Sequence, residues 1–156
     1  MLSLAAIFLG VVALAQGDSF SPNVVAFTAA LTEETTINRG KGVIYTNAIT
    51  NIGKGYDTTT GIFTAPLDGL YGFHIHLHTS WNSEAWLALF HNEENVVTAH
   101  GYNYQGSVSA GNFALLTLKA GDRVQVKAII TRSGVSWEAD NRGSTFSGYL
   151  IAPTSD

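Results

Sequence analysis

Cysteine is absent from all 156 residues, which excludes disulfide bonds and a cysteine nucleophile. This absence is unusual for a small secreted protein. A chain with roughly 140 residues beyond its N-terminal segment buries about two thirds of the surface that it exposes when unfolded. We therefore expect one domain, stabilised by its apolar core and by association between chains.

Charged residues are also scarce, at 13% of the sequence with a formal net charge of −4. A protein that follows the phosphates of a nucleic acid normally has a basic face, so this function is not expected. The sequence contains no Gly-x-Ser-x-Gly, no His-Glu-x-x-His and no phosphate-binding loop. We therefore expect a protein without enzymatic activity.

Long apolar runs are missing except near the N-terminus, where residues 2–14 are nearly all apolar and uncharged. A transmembrane helix needs roughly 20 such residues. The run is followed by a small-x-small sequence, Ala13-Leu14-Ala15, which is typical of a signal peptidase site. We predict a signal peptide at 1–15, a short segment at 16–23, a domain at 24–156, and a secreted, extracellular protein.

No helical period of useful length is present, and short β-rich runs recur at intervals of roughly ten residues. This pattern is typical of an all-β sandwich or barrel. It predicts a two-sheet antiparallel jelly roll of about ten strands, with Trp86 in the core. The predicted strands are 24–30, 43–48, 61–64, 69–79, 85–91, 96–100, 113–118, 123–131 and 144–151.

The run GYDTTTGIFTAPLDGLYGF at 55–73 is the most specific feature of the chain. It resembles the signature of the globular head domain of complement component 1q, an aromatic-rich pattern that ends in Gly-x-Tyr-x-Phe. Three further runs, at 25–29, 118–124 and 144–150, resemble that family's opening strand, late hairpin and closing strand. The matching signature positions are Tyr45, Asn51, Tyr56, Phe63, Gly69, Tyr71 and Phe73.

The resemblance implies a homotrimer with the jelly roll of the tumour necrosis factor family. It also implies innate immune pattern recognition, by lectin-like carbohydrate binding to microbial glycans such as lipopolysaccharide or peptidoglycan. No Gly-x-y collagen repeat precedes the domain, so we expect a stalkless, invertebrate-like form that trimerises through the head itself. The alternative is a secreted structural or signalling ligand that binds a receptor or an extracellular-matrix protein.

Three histidines alternate along one predicted strand, so His74, His76 and His78 share a face. The alternate residues Tyr71 to Leu77 are apolar and are expected in the core. The resemblance implies that this strand lies near the trimer axis. Three interpretations remain open: a metal site, an interface that weakens as imidazoles become charged, and ordinary hydrogen-bonded interface residues.

Several aromatic residues stand among Asn, Gln, Ser and Glu, which suits carbohydrate stacking. They could also cap the sandwich or pack between protomers. Arg132 could meet an anionic group of a ligand. The candidate ligand-binding residues are Trp81, Tyr102, Tyr104, Arg132 and Trp137.

Acidic residues could supply oxygen ligands for calcium, but their spacing matches no compact calcium loop. We expect no required cofactor, while calcium or a transition metal stays open. The residues considered are Asp57, Glu93, Glu94, Asp122 and Asp140.

Overall fold

The computed structural model describes residues 24–32, 37–79, 81–130 and 143–154. The predicted signal peptide at 1–15, the segment at 16–23, and the candidates Arg132, Trp137 and Asp140 lie outside these ranges. Within them, no helix is long and apolar enough to cross a membrane.

Ten strands form two antiparallel sheets of five strands each, which confirms the predicted all-β jelly roll. The first sheet has the order β2-β1-β10-β5-β8, and the second has the order β3-β4-β9-β6-β7. The strands are β1 (Ala26–Ala30), β2 (Asn47–Ile52), β3 (Tyr56–Asp57), β4 (Ile62–Thr64), β5 (Gly69–Thr79), β6 (Glu84–His91), β7 (Glu94–Tyr102), β8 (Val108–Leu118), β9 (Arg123–Ile130) and β10 (Thr145–Pro153).

Two strands begin four or five residues away from their predicted starts, because pairing with a neighbouring strand determines where they begin. The strand expected at 43–48 is found at 47–52, while Val43 only donates one backbone hydrogen bond to Val126 across 2.8 Å. The strand expected at 113–118 begins at Val108, because β8 pairs with the whole length of β5. The small residues at the start of β8 show no alternation of apolar and polar side chains in the sequence.

An aromatic cluster joins the two sheets. The Phe27 ring of β1 stacks on Tyr56 of β3 and Phe63 of β4, at centroid distances of 4.8 and 5.1 Å. Phe146 of β10 meets Phe27 edge to face at 4.8 Å. Each such contact adds about 0.5–1.5 kcal/mol beyond the burial of apolar area. Tyr56 and Phe63 of the signature therefore pack with Phe27 and Phe146 to hold the two sheets together.

Hydrogen bonds from the polar groups of the signature residues Tyr56 and Asn51 hold the backbone beside this cluster. The hydroxyl of Tyr56 donates to the backbone oxygen of Tyr45 at 3.1 Å and accepts from the Tyr45 backbone N–H at 3.2 Å. The Asn51 side chain donates to the Tyr56 oxygen at 2.8 Å and accepts from its N–H at 3.3 Å. Burial raises the pKa of Tyr56 to about 12, so its hydroxyl stays protonated at neutral pH.

Glycine is required where the closing strand passes the cluster. A Cβ on Gly148 would lie 2.6 Å from ring carbons of both Phe27 and Phe73. Carbon atoms at that distance overlap, so any side chain here would force the rings apart. The Ser147-Gly148-Tyr149 run thus carries a packing constraint.

We predict that Tyr56→Phe lowers the free energy of unfolding by about 1–3 kcal/mol, because it leaves two buried backbone groups of Tyr45 without their shared partner. Equilibrium unfolding in urea, at one fixed protomer concentration, measures this change. Tyr104→Phe removes an exposed hydroxyl and is the matched control. Equal stability of the two variants would contradict the proposed role of the Tyr56 hydroxyl.

Candidate functional site

One end of the sandwich is formed by two neighbouring loops. The residues 81–83 connect β5 to β6, and 103–107 connect β7 to β8. The backbone N–H of Asn82 donates to the oxygen of Gly106 at 3.3 Å, so the loops contact each other. We call residues 81–83 and 102–107 the aromatic end.

Three of the predicted ligand-binding residues lie at the aromatic end. Trp81 and Tyr104 are 69% and 70% exposed, and Tyr102 is 41% exposed. The rings of Tyr102 and Tyr104 meet edge to face, with centroids 4.6 Å apart. The structure thus brings together residues that are more than twenty positions apart in sequence.

The backbone below these rings is held by hydrogen bonds. The side chain of Asn103 accepts from the Gln105 N–H at 3.0 Å, and Thr79 accepts from the Val108 N–H at 3.2 Å. Asn82 has a φ of 56°, a left-handed conformation that asparagine tolerates better than most residues. The loops therefore present exposed rings and amides on an anchored backbone.

The expectation for Trp86 is wrong. The alternation of β6 turns Ala85, Leu87 and Leu89 into the core, so Trp86 lies on the outward face of the second sheet. It is half-buried, and its ring centroid lies 4.9 Å from that of His100. Its indole nitrogen is buried without a hydrogen-bond partner in the described chain.

His74, His76 and His78 lie on the outward face of β5, while Tyr71, Phe73, Ile75 and Leu77 are buried on its inner face. We call the three outward residues the histidine face. The rings of His74 and His76 are 6.4 Å apart. Nδ1 of His76 contacts the Gly143 oxygen, and Nδ1 of His78 lies 2.9 Å from the Ser109 hydroxyl.

The described residues of one chain contain no group of three or more His, Cys, Asp or Glu side chains able to hold a metal ion. The histidines are spaced along the strand and do not converge on one point. Asp122 accepts hydrogen bonds from Asn92 at 2.9 Å and from the Lys119 N–H at 2.9 Å, and Asp57 accepts from Thr59. These hydrogen bonds lower the pKa of both carboxyls. The carboxylates thus stabilise turns.

The first sheet contains no Asp, Glu, Lys or Arg in its five strands. Its outward face is apolar beside the histidine face: a Cβ on Gly72 would lie 3.0 Å from the Phe113 ring and 3.2 Å from the Tyr149 ring. The exposed apolar side chains of these strands are Ile49, Ile52, Phe113, Leu115, Tyr149 and Ile151.

The geometry agrees with known structures. The globular domain of zebrafish complement 1qA protein superposes with a TM-score of 0.69 at 21% identity, covering 83% of this chain and 99% of that one. The Eiger TNF of S. frugiperda gives a TM-score of 0.66 at 16% identity, over 86% of this chain and 96% of that one. These likenesses show the jelly-roll fold.

Sequence relatives carry the same domain. Human complement C1q tumor necrosis factor-related protein 3 is 33% identical over 132 residues, or 83% of this chain and 52% of the relative. Complement C1q tumor necrosis factor-related protein 6 of Mus musculus is 33% identical over 112 residues, 70% of this chain and 42% of that protein. This chain thus spans about half the length of these relatives. The family described as "C1q domain" matches residues 26–151, and the chain belongs to that family.

Proposed function

We propose that this protein is a secreted, homotrimeric recognition protein whose aromatic end binds microbial surface glycans such as lipopolysaccharide or peptidoglycan. The observation that carries the proposal is the pairing of two adjacent, anchored loops that expose Trp81, Tyr102 and Tyr104. Sugar rings stack on flat aromatic faces and need amides or hydroxyls nearby. Asn82, Asn103 and Gln105 supply amides in the same loops.

The first sheet supports trimer formation through the domain itself. Exposed apolar patches rimmed by polar residues mark interaction surfaces, and burying this face desolvates no Asp, Glu, Lys or Arg side chain of its strands. Phe113, Leu115 and Tyr149 supply the apolar contacts, and the histidine face lies beside them. In such a trimer Arg132 and Trp137 are further candidate ligand contacts.

A rigid trimer gains strength by avidity. Once one site is bound, the other two act at a high effective concentration on the same microbial surface. Weak single sites are then sufficient for firm attachment to a surface that carries many copies of one glycan. No cofactor is needed for this mode of binding, and a chelator tests whether calcium or a transition metal contributes.

The alternative candidate function is that of a secreted structural or signalling ligand that binds a receptor or a matrix protein. The relatives named as tumor necrosis factor-related proteins favour it. Competition by free sugars distinguishes the two candidate functions. Competition by sugars on the order of tens of millimolar is expected for a glycan-binding protein. If the protein is a receptor ligand, its affinity for the protein partner should not change when the same sugars are added.

We predict that Trp81→Ala and Tyr104→Ala each weaken binding to isolated lipopolysaccharide or peptidoglycan at least about fivefold, because each removes an exposed ring worth about 1 kcal/mol in stacking. Surface plasmon resonance on immobilised glycans measures the change.

The matched control is Ile44→Ala, which removes an exposed apolar side chain near β9. All three variants should keep the stability and the oligomeric state of the natural chain. Glycan binding that survives both aromatic substitutions would remove the aromatic end as the binding site.

We predict a trimer at neutral pH that dissociates increasingly between pH 7.5 and 5.5. Protonated imidazoles would bring positive charges into the first sheet, whose five strands contain no Asp or Glu. The His74→Gln, His76→Gln, His78→Gln triple variant should keep its trimer over this range. Sedimentation velocity at several pH values measures the trimer fraction.

The other two histidines of the chain provide the control. His91 lies 3.1 Å from Asp122 and His100 lies 3.0 Å from Glu84, so both have a carboxylate partner on the second sheet. A His91→Gln, His100→Gln variant should respond to pH like the natural chain. A pH response that is the same in both multiple variants would exclude the histidine face as its cause.

A further inference from the structure

A hollow lies on the outer surface of the second sheet, beside the turn that joins β6 to β7. Because β6 runs from Glu84 to His91, this turn lies at the opposite end of the strand from the aromatic end. We call it the cationic hollow. It is lined by Ile62, Phe90, Asn92, Glu93, Arg123, Gln125 and Lys127.

Strand β9 places the cations. Arg123, Gln125 and Lys127 alternate with the buried Val124 and Val126, so all three side chains point outward. Alternate residues of a strand stand about 7 Å apart, so Arg123 and Lys127 flank Gln125, whose Nε2 donates to the Thr60 oxygen at 3.0 Å. The spacing suits a ligand that has several oxygen atoms.

Lys127 is held in a fixed position. Its ammonium lies 4.7 Å from the centroid of the Phe90 ring, and its side chain is only 18% exposed. Its backbone neighbour across the sheet is Ala88, whose small side chain leaves room for the lysine stem. An ammonium held on an aromatic ring loses less rotamer freedom when an anion binds.

Glu93 places its own carboxylate against the Lys127 ammonium. Its Oε2 lies 2.6 Å from Nζ of Lys127, while the side chain is 85% exposed and belongs to a two-residue turn. The hydrogen bond from Lys127 and the nearby charges of Lys127 and Arg123 lower the pKa of Glu93. An exposed carboxylate of this kind can leave its partner at little cost.

The charges of the hollow do not cancel. Arg123 and Lys127 provide two positive charges, and Glu93 provides one negative charge. The nearby carboxylate of Asp122 is engaged by Asn92, by His91 and by the Lys119 N–H. Among the residues that line the hollow, one positive charge is left over when Glu93 is in place, and two when it swings out.

We propose that the cationic hollow binds the carboxylate of an acidic sugar, and that Glu93 occupies the carboxylate position in the absence of ligand. Ile62 gives the hollow an apolar wall for the sugar ring, and the amide of Gln125 lies beside the cations. This site is separate from the aromatic end and does not depend on the proposed glycan binding there.

The test uses methyl β-D-glucuronide, with methyl β-D-glucoside as its neutral match, titrated into the protein at pH 7 and followed by ligand-observed NMR. The natural chain should bind the glucuronide and not the glucoside. Glu93→Gln should tighten glucuronide binding about two- to fivefold, the factor that corresponds to releasing one exposed ion pair. Lys127→Met, which keeps the apolar stem over Phe90, should weaken it at least about fivefold.

Glu94→Gln is the matched control, because it removes the same charge from the next residue, and Glu94 makes no ion pair among the described residues. It should leave the affinity unchanged. An equal gain in Glu94→Gln and Glu93→Gln would reduce the effect to net charge and overturn the proposal. Unchanged glucuronide binding in Lys127→Met, with its fold confirmed by circular dichroism, would also overturn the proposal. Acetate binding as tightly as the glucuronide would overturn it as well.

A Trp81→Ala, Glu93→Gln double variant separates the two sites. Glucuronide binding as tight as in Glu93→Gln alone supports a site independent of the aromatic end. A loss of glucuronide binding in the double variant would assign the sugar to the aromatic end and overturn the proposal for the hollow.

Discussion

The contact of Phe27 with Tyr56, Phe63 and Phe146 is the interaction on which the sandwich depends. It is the point where aromatic rings from both sheets meet within 4.8 to 5.1 Å. A chain without cysteine cannot replace such contacts with disulfide bonds. Asn51 of the signature and Gly148 of the closing strand serve the same cluster: Asn51 fixes the backbone that delivers Tyr56, and Gly148 leaves room for the rings. The family signature is therefore a packing requirement, and it carries no ligand specificity by itself.

With the interior fixed in this way, the two outer faces are free to differ. The first sheet has no Asp, Glu, Lys or Arg in its strands, and several of its apolar side chains are exposed. The second sheet carries Arg123, Lys127 and Glu84 on its strands. Burial against another copy of the chain disfavours charge, whereas binding of a polar ligand uses it. This charge distribution supports the proposed association through the first sheet and the proposed binding of an acidic sugar on the second.

The sequence was sufficient for the fold class, the signature cluster and the inward face of β5, because alternation and aromatic spacing are local patterns. It failed where the outcome depends on a partner strand. The small residues at the start of β8 show no alternation, yet they pair with β5 throughout. Trp86 was expected inside because apolar residues flank it on both sides, and only the register of β6 turns it outward. The cationic hollow was missed because Glu93 and Lys127 meet through strand pairing, although the Arg123, Gln125, Lys127 alternation was a usable signal.

The histidines show how the same residue type acquires two roles from its surroundings. On the second sheet, His91 and His100 each stand about 3 Å from a carboxylate, so a proton gained there is balanced locally. On the first sheet, Nδ1 of His76 contacts the Gly143 oxygen and Nδ1 of His78 lies 2.9 Å from the Ser109 hydroxyl, and the five strands contain no Asp or Glu. A proton gained there adds charge to a face whose other outward side chains are apolar or hydroxyl-bearing. The surroundings of the histidines therefore differ between the two sheets, and those without a strand carboxylate lie on the face proposed for association.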